Sequence, residues 1–161
     1  MKCIECGAAM KVTRETRRDT LSGLPNVILV KVEVRRCLSC GAEEVALPRV
    51  EGLHRSLADF IVRKPGRLAG AEVRFLRKYL GWSSGDFAKH MGVSREAVSR
   101  WENGHDKIGG LADRLLRLFV AHCAPIEDYG IDELQVADQG RDAPLKIRAK
   151  PARKGWALAP A

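Results

Sequence analysis

Trp82-Ser-Ser-Gly-Asp-Phe-Ala-Lys-His-Met-Gly-Val-Ser-Arg-Glu-Ala-Val-Ser-Arg-Trp-Glu-Asn-Gly104 is the stretch that decides the fold. Ser83 or Ser84 can cap a short helix that runs through Met91 and stops at Gly92. Ser94 caps the next helix, Arg95 to Asn103, which Gly104 terminates. On the first helix Phe87, Ala88 and Met91 fall on one side, and Val93 plugs the gap between the helices. On the second, Ala97, Val98 and Trp101 form the inward side. Small apolar groups at these spacings suit two short helices that cross steeply. The outward side of the second helix then carries Arg95, Glu96, Ser99 and Arg100. Polar groups there can meet base edges in a DNA major groove. Arg pairs bidentately with guanine, and Glu accepts from cytosine N4. Ser84, Ser94, Asn103 and Lys107 border this face and join the candidate DNA-binding set.

Working outward, the pattern predicts a preceding helix over Glu72 to Leu80 with Val73, Leu76 and Leu80 on one face. A following helix opens after Gly109-Gly110 and carries Leu111, Leu115, Leu118, Phe119 and His122. Its apolar face is wider than one domain needs, which makes it the expected dimer interface. Arg74, Arg77, Lys78 and Lys107 are placed to meet phosphates. Before this block, Pro48 opens a connecting helix with Val50, Leu53, Leu57, Phe60 and Ile61 at helical spacing. Pro65-Gly66 breaks it. Earlier still, Val27 to Val34 reads as a strand in which Ile28, Val30, Val32 and Val34 share a face at period two. Met10 to Thr16 reads as a weaker strand.

Five cysteines need a chemical explanation. Cys3 and Cys6 form one C-x-x-C and Cys37 and Cys40 another, each followed by glycine, at Gly7 and Gly41. Two residues between thiolates let both sulfurs address one ion across a tight turn. Two such knuckles supply four soft ligands, the tetrahedral set that suits Zn²⁺. Thirty residues separate the knuckles, a gap that a hairpin containing the Val27 strand can span. Iron–sulfur runs are spaced more tightly, and a redox C-x-x-C is expected once, on a βαβ pattern. With every ligand position taken by Cys, the zinc is structural, one ion per chain. Cys123 reads as a core residue at a helix end, and His54, His90, His105 and His122 as structural or surface groups.

The 161 residues carry 28 basic and 20 acidic side chains, a formal charge of +8. The excess is uneven: net +2 over 1–47, +5 over 48–81, +1 over 82–124, −4 over 125–137 and +4 over 138–161. Such a balance favours an anionic partner, nucleic acid above all. The longest apolar runs are a few residues, far short of the roughly 20 a membrane span needs. The Met-Lys-Cys-Ile-Glu-Cys start has no apolar region of the secretory kind. The expectation is a cytoplasmic protein with reduced thiols. No nucleophile–base pair, phosphate loop or open metal position is visible, so no enzyme is expected.

The helix-turn-helix string resembles the XRE/Cro type, whose motif ends in Ser-x-x-x-Val-Ser-x-Trp-Glu-x-Gly. Where Ser84 stands, many members of that family carry Gln. The order of parts, a four-cysteine segment, a connecting helix and an XRE-type domain, resembles the MqsA-type (YgiT-type zinc finger) antitoxins over about residues 1–124. That resemblance implies structural zinc, an N-terminal domain that holds an MqsR-type endoribonuclease toxin, and a C-terminal domain that dimerises on a palindromic operator and represses its own operon. Base-reading positions of the family map onto Glu96 and Arg100. The alternative is a free-standing XRE-family transcriptional regulator without a toxin partner. The expected architecture is α+β: a four-cysteine zinc-binding β domain at 1–47, a connecting helix and linker at 48–66, an all-α helix-turn-helix domain at 67–124, and an irregular tail at 125–161 with a short strand at Leu145 to Ala149.

Overall fold

The computed structural model describes residues 1–123, 144–153 and 155–160. Its architecture is α+β: an N-terminal sheet bearing the four cysteines, then the helices. The acidic stretch 125–137 and the expected helix stop at Pro125 lie outside the described residues, as does the Cys123 side chain.

Strand β2 (Val27–Cys37) organises the sheet. Strand β1 (Met10–Arg18) runs antiparallel along one side of it, from Met10 opposite Cys37 to Arg18 opposite Ile28. The other side of β2 is shared. Strand β3 (Glu43–Ala46) pairs antiparallel with Glu33 to Arg36, and strand β4 (Ile147–Ala152) pairs parallel with Val27 to Leu29. Between these two partners β2 bulges. Glu15 opposes Val32 and Arg17 opposes Leu29, so Val30 and Lys31 together face Thr16. Lys31 adopts φ 57° there, left-handed backbone uncommon for a residue with a Cβ. An inserted residue resets side-chain parity. The buried set is therefore Val27, Leu29, Val32 and Val34, not the uninterrupted Ile28, Val30, Val32, Val34 alternation. Ile28 and Val30 are half-buried on the opposite face.

The described residues of the tail, 144–153 and 155–160, depart from the expectation of irregular structure. The expected short strand at Leu145 to Ala149 lies instead at Ile147 to Ala152, as β4, and β5 (Gly155–Pro160) pairs antiparallel with it. Ile147 and Ala149 are fully buried, and Trp156 and Leu158 pack against the same core. The Trp156 indole donates to the Pro48 carbonyl at 3.0 Å, and the Leu145 amide donates to Glu72 Oε1 at 3.3 Å. Pro160 is tolerated because β5 is an edge strand.

Five helices complete the chain: α1 (Val50–Val62), α2 (Gly70–Tyr79), α3 (Ser84–Met91), α4 (Arg95–Glu102) and α5 (Gly110–Cys123). Helix α1 begins two residues after Pro48, with Arg49 at φ 53°, and buries Leu53, Leu57, Ala58, Ile61 and Val62. These side chains join the strand residues and Val73, Leu76, Phe87, Val98, Leu116 and Val120 in one continuous core. The expected zinc and helix-turn-helix regions thus share their interior.

Two buried ion pairs lock the α1–α2 connection. Arg117 on α5, fully buried, donates to Asp113 at 2.6 Å and to the carbonyls of Val62, Lys64 and Gly66 at 2.8, 2.7 and 2.6 Å. It thereby takes up carbonyls that the end of α1 leaves without helical partners. Asp113 also accepts from the Leu68 amide at 2.7 Å. Lys64 reaches Glu72 at 3.0 Å, and that same carboxylate accepts from the Ala69 amide. Helix α5 consequently has two apolar stripes. Ala112, Leu116 and Val120 point into the core, whereas Leu111 is 76% exposed and Leu118 46% exposed. No described helix is long and apolar enough to cross a membrane.

Candidate metal centre and DNA-binding face

The two cysteine knuckles have matching backbones. Cys3 accepts from the Gly7 amide at 2.9 Å and its own amide donates to Ala8; Cys37 accepts from the Gly41 amide at 3.0 Å and donates to Ala42. Gly7 and Gly41 sit at φ 75° and 77°, a turn glycine adopts without strain. Pairing of β1 with β2 brings the knuckles together, since Met10 lies opposite Cys37. All four sulfurs fall within 4.8 Å of one another, with Cys3–Cys40 at 3.6 Å and Cys6–Cys37 at 3.3 Å. Tetrahedral Zn²⁺ with ~2.3 Å bonds needs sulfurs about 3.8 Å apart, so the cluster has the size of a closed four-thiolate site.

The thiols are electrostatically divided. The Cys40 amide, the Cys6 sulfur and the Ser39 amide pull Cys37 down to about 6. The Ala42 amide pulls Cys40 down, but the sulfurs of Cys6 and Cys37 outweigh it and leave the thiol at about 12. Cys6 is likewise raised: the Ala8 amide lowers it, and the Cys37 sulfur works against that. Several thiolates crowded together repel, and a bound cation relieves that repulsion. The four cysteines are thus positioned to hold a metal ion.

In the helical half, Ser83 is the N-cap of α3, accepting from the Asp86 amide while Asp86 accepts from the Ser83 amide at 3.0 Å. Ser84 is the first helical residue and is half-buried. Gly92 closes α3 at φ 64°, and Ser94 caps α4 through the Ala97 amide. Phe87 and Val98 are fully buried between the helices. Trp101 is half-buried and meets Phe87 edge-on at 6.5 Å. Ser94, Arg95, Glu96, Ser99, Arg100, Asn103 and Lys107 are all exposed. Glu96 is held below its usual range by its own backbone amide and by Ser94, so it stays ionised. Arg100 pairs with Asp106 at 2.8 Å. A Cβ on Gly85 would come within 2.7 Å of the Arg95 guanidinium, which places that group against the start of α3.

Two expected phosphate contacts have a different role. Arg77 is buried and donates to both Glu102 oxygens, at 2.5 and 3.1 Å, and to the Trp82 carbonyl at 2.7 Å. Arg74 bonds Glu102 at 3.3 Å and Asn103 Oδ1 at 2.6 Å. Both arginines clamp the end of α4 onto α2. Gly70 completes the fit, because a Cβ there would lie 2.5 Å from the Trp101 carbonyl. Glu102 is the positioning residue that sequence reasoning missed. Its signal was present in the Trp-Glu-x-Gly ending, but nothing local says which cations the carboxylate meets.

Residues 73–110 match the helix-turn-helix family HTH_3. The chain therefore carries an XRE-type helix-turn-helix domain, a DNA-binding module, from α2 to the start of α5. No curated protein gives a significant match to the chain.

Proposed function

We propose that this protein is a zinc-stabilised, sequence-specific transcriptional repressor and the antitoxin of a toxin–antitoxin pair. The observation that carries the regulator reading is the α4 face. Arg95, Glu96, Ser99 and Arg100 are exposed on a helix whose opposite side is buried and whose end is clamped through Glu102, with Arg100 reaching Asp106 and Arg95 lying beside α3. A recognition helix needs that combination of rigid seat and free polar edge. Structural Zn²⁺ is the metal that suits four thiolates at this separation. Two-fold binding to a palindrome fits the outward stripe of Leu111, Leu115 and Leu118 on α5, an apolar surface left for a second copy. The protein then works without catalysis, where the DNA is, in the cytoplasm.

The antitoxin role rests on the order of parts, a four-cysteine end followed by an XRE-type domain, and an MqsR-type endoribonuclease is the partner it implies. The C-terminal hairpin, which lies outside that order, favours the second reading of a free-standing regulator. Co-expression with the product of the adjacent gene separates the two: a stable complex with a small ribonuclease supports the antitoxin, and its absence the regulator. For DNA binding, the test is affinity for a duplex from upstream of the protein's own gene against a scrambled duplex at two salt concentrations. A preference that persists at the higher salt supports the repressor; equal affinity at both contradicts it.

A further inference from the structure

The outer face of the sheet carries a concentration of unpaired cations that the α4 reading does not use. Residues opposed across strands share a face. Arg18 opposes Ile28, Ile28 opposes Arg148, and Arg148 opposes Ala159. Lys150, two residues along β4, opposes Ala157, and Arg14 lies two residues beyond Thr16 on β1. The β2 bulge adds Lys31 to this region. Arg14, Arg18, Lys31, Arg148 and Lys150 are all exposed, and none has an ion-pair partner among the described residues. Among the described residues, Glu33 and Glu44 share the single cation Arg35, at 2.7 and 3.3 Å, and the five further cations outnumber these two acids. Between the cations lies a shallow cleft of about 480 Å³, floored by Val30, Ala157 and Ala159 and edged by Lys31, Arg148 and Lys150.

We propose that this outer sheet face is a second, sequence-independent binding surface for the phosphate backbone of duplex nucleic acid. Strand geometry puts Arg148 and Lys150 about 6.7 Å apart along β4, and Arg18 and Arg148 about 9.6 Å apart across Ile28. Point charges at these intervals suit a regular polyanion. The other side chains select among polyanions. Among the described residues no aromatic ring stands on this face, since Trp156 falls on the core side and bonds Pro48. A single strand therefore finds no stacking platform. A protein partner would need apolar or aromatic anchors at the centre of its interface, and here the floor is small aliphatic groups. The bulge matters because it lifts Lys31 out of the alternation that would otherwise place a neutral side chain there. The surface goes beyond α4 and takes from the regulator reading only the class of polymer.

The test uses full-length, metal-loaded protein and a short duplex of scrambled sequence. In an Arg95→Gln/Arg100→Gln background that cripples α4, scrambled duplex still binds. Adding Lys31→Gln, Arg148→Gln and Lys150→Gln weakens it about tenfold or more and flattens the salt dependence by two to three units of slope. The same three substitutions in otherwise wild-type protein leave sequence preference intact, and thermal melting checks that they leave the fold intact. Wild-type protein also holds two differently labelled duplexes at once, and the triple variant does not. Unchanged affinity and slope in the triple variant overturn the proposal. So does tighter binding of a polyglutamate chain than of duplex to this face, which would assign it to an acidic protein. Loss of sequence preference in the wild type would count against the α4 reading alone.

Discussion

The knuckle end of the sheet and the helical half are built on opposite plans. Around the cysteines little is buried besides Cys3 and Cys37, and Cys6 and Cys40 are exposed. Cys3 and Cys37 are 4% and 2% exposed, while Ile4 and Leu38, the first residues inside the two knuckles, are 96% and 80% exposed. Charged side chains on the neighbouring strands hold one another: Arg36 bridges Glu15 and Glu43, and Arg17 reaches both. The helical half instead encloses Phe87, Leu76, Val98 and Leu116 and seals its connections with Arg117–Asp113 and Arg77–Glu102. One end thus offers little beyond a cluster of four thiols, and the other is held by packing. The difference teaches where the molecule can fail locally. Val27, Leu29, Val32 and Val34 on β2 lie in the same buried cluster as the helix side chains.

Metal removal is the sharpest way to break that contrast. Structural zinc contributes roughly 10–16 kcal/mol of apparent binding free energy in small zinc domains. Cys37→Ser or a chelator should release one Zn²⁺ per chain and free the amides of residues 1–10 and 38–46 to hydrogen exchange. The amides of Val27 to Val34 and of α2 to α5 should stay protected. Exchange that rises uniformly across the sheet would show that the core does not hold β2.

Asp113→Ala comes next. It strands the Arg117 guanidinium at a fully buried position, and breaking such a pair costs about 3–5 kcal/mol. Denaturant melting should show a loss of that order, with zinc retained. Glu102→Ala should destabilise by about 3 kcal/mol or less, since water can reach Arg74. Its larger consequence is for DNA, because α4 loses its clamp. Specific binding should fall further than the affinity for scrambled duplex.

A smaller effect is tied to pH. Arg36, and after it Thr13, hold the Glu15 carboxyl at about 2, below its ordinary 4.5. A carboxylate whose folded value is depressed stabilises the fold above about 4.5 and loses that contribution as pH falls towards 2. Glu15→Gln should flatten the stability profile across that window. An identical acid limb in the variant would mean that the network does not respond to acid as a unit.

The parts of this fold that were legible in the sequence are those whose signals are local. Ser94 capping α4, Gly92 ending α3 and the glycines after each knuckle state their roles within a few residues, and the structure places them so. The outward set from Arg95 to Arg100 follows from helical spacing alone. What was hidden depends on distant partners. Strand β4 has only Ile147 and Ala149 to offer the core, and its apolar neighbours come from β2, more than a hundred residues earlier. The bulge at Lys31 leaves no local mark, so an uninterrupted alternation was the natural expectation. Helix α5 disguises its core side, because Asp113 and Arg117 are buried there while Leu111 and Leu118 face outward. Arg77 reads as surface charge until Glu102 is brought beside it.

Selection of bound sequences from a pool of random duplexes tests the central claim, that the exposed face of α4 reads DNA bases. Wild-type protein should enrich a two-fold related motif with half-sites about one helical turn apart. Arg100→Ala should cost roughly 1–3 kcal/mol on that motif and erase the preference at one base pair of each half-site, leaving the other positions intact. Lys107→Ala should weaken all duplexes about equally. If wild-type protein enriches no motif, or if Arg100→Ala leaves the motif unchanged, α4 is not the reading element and the account fails.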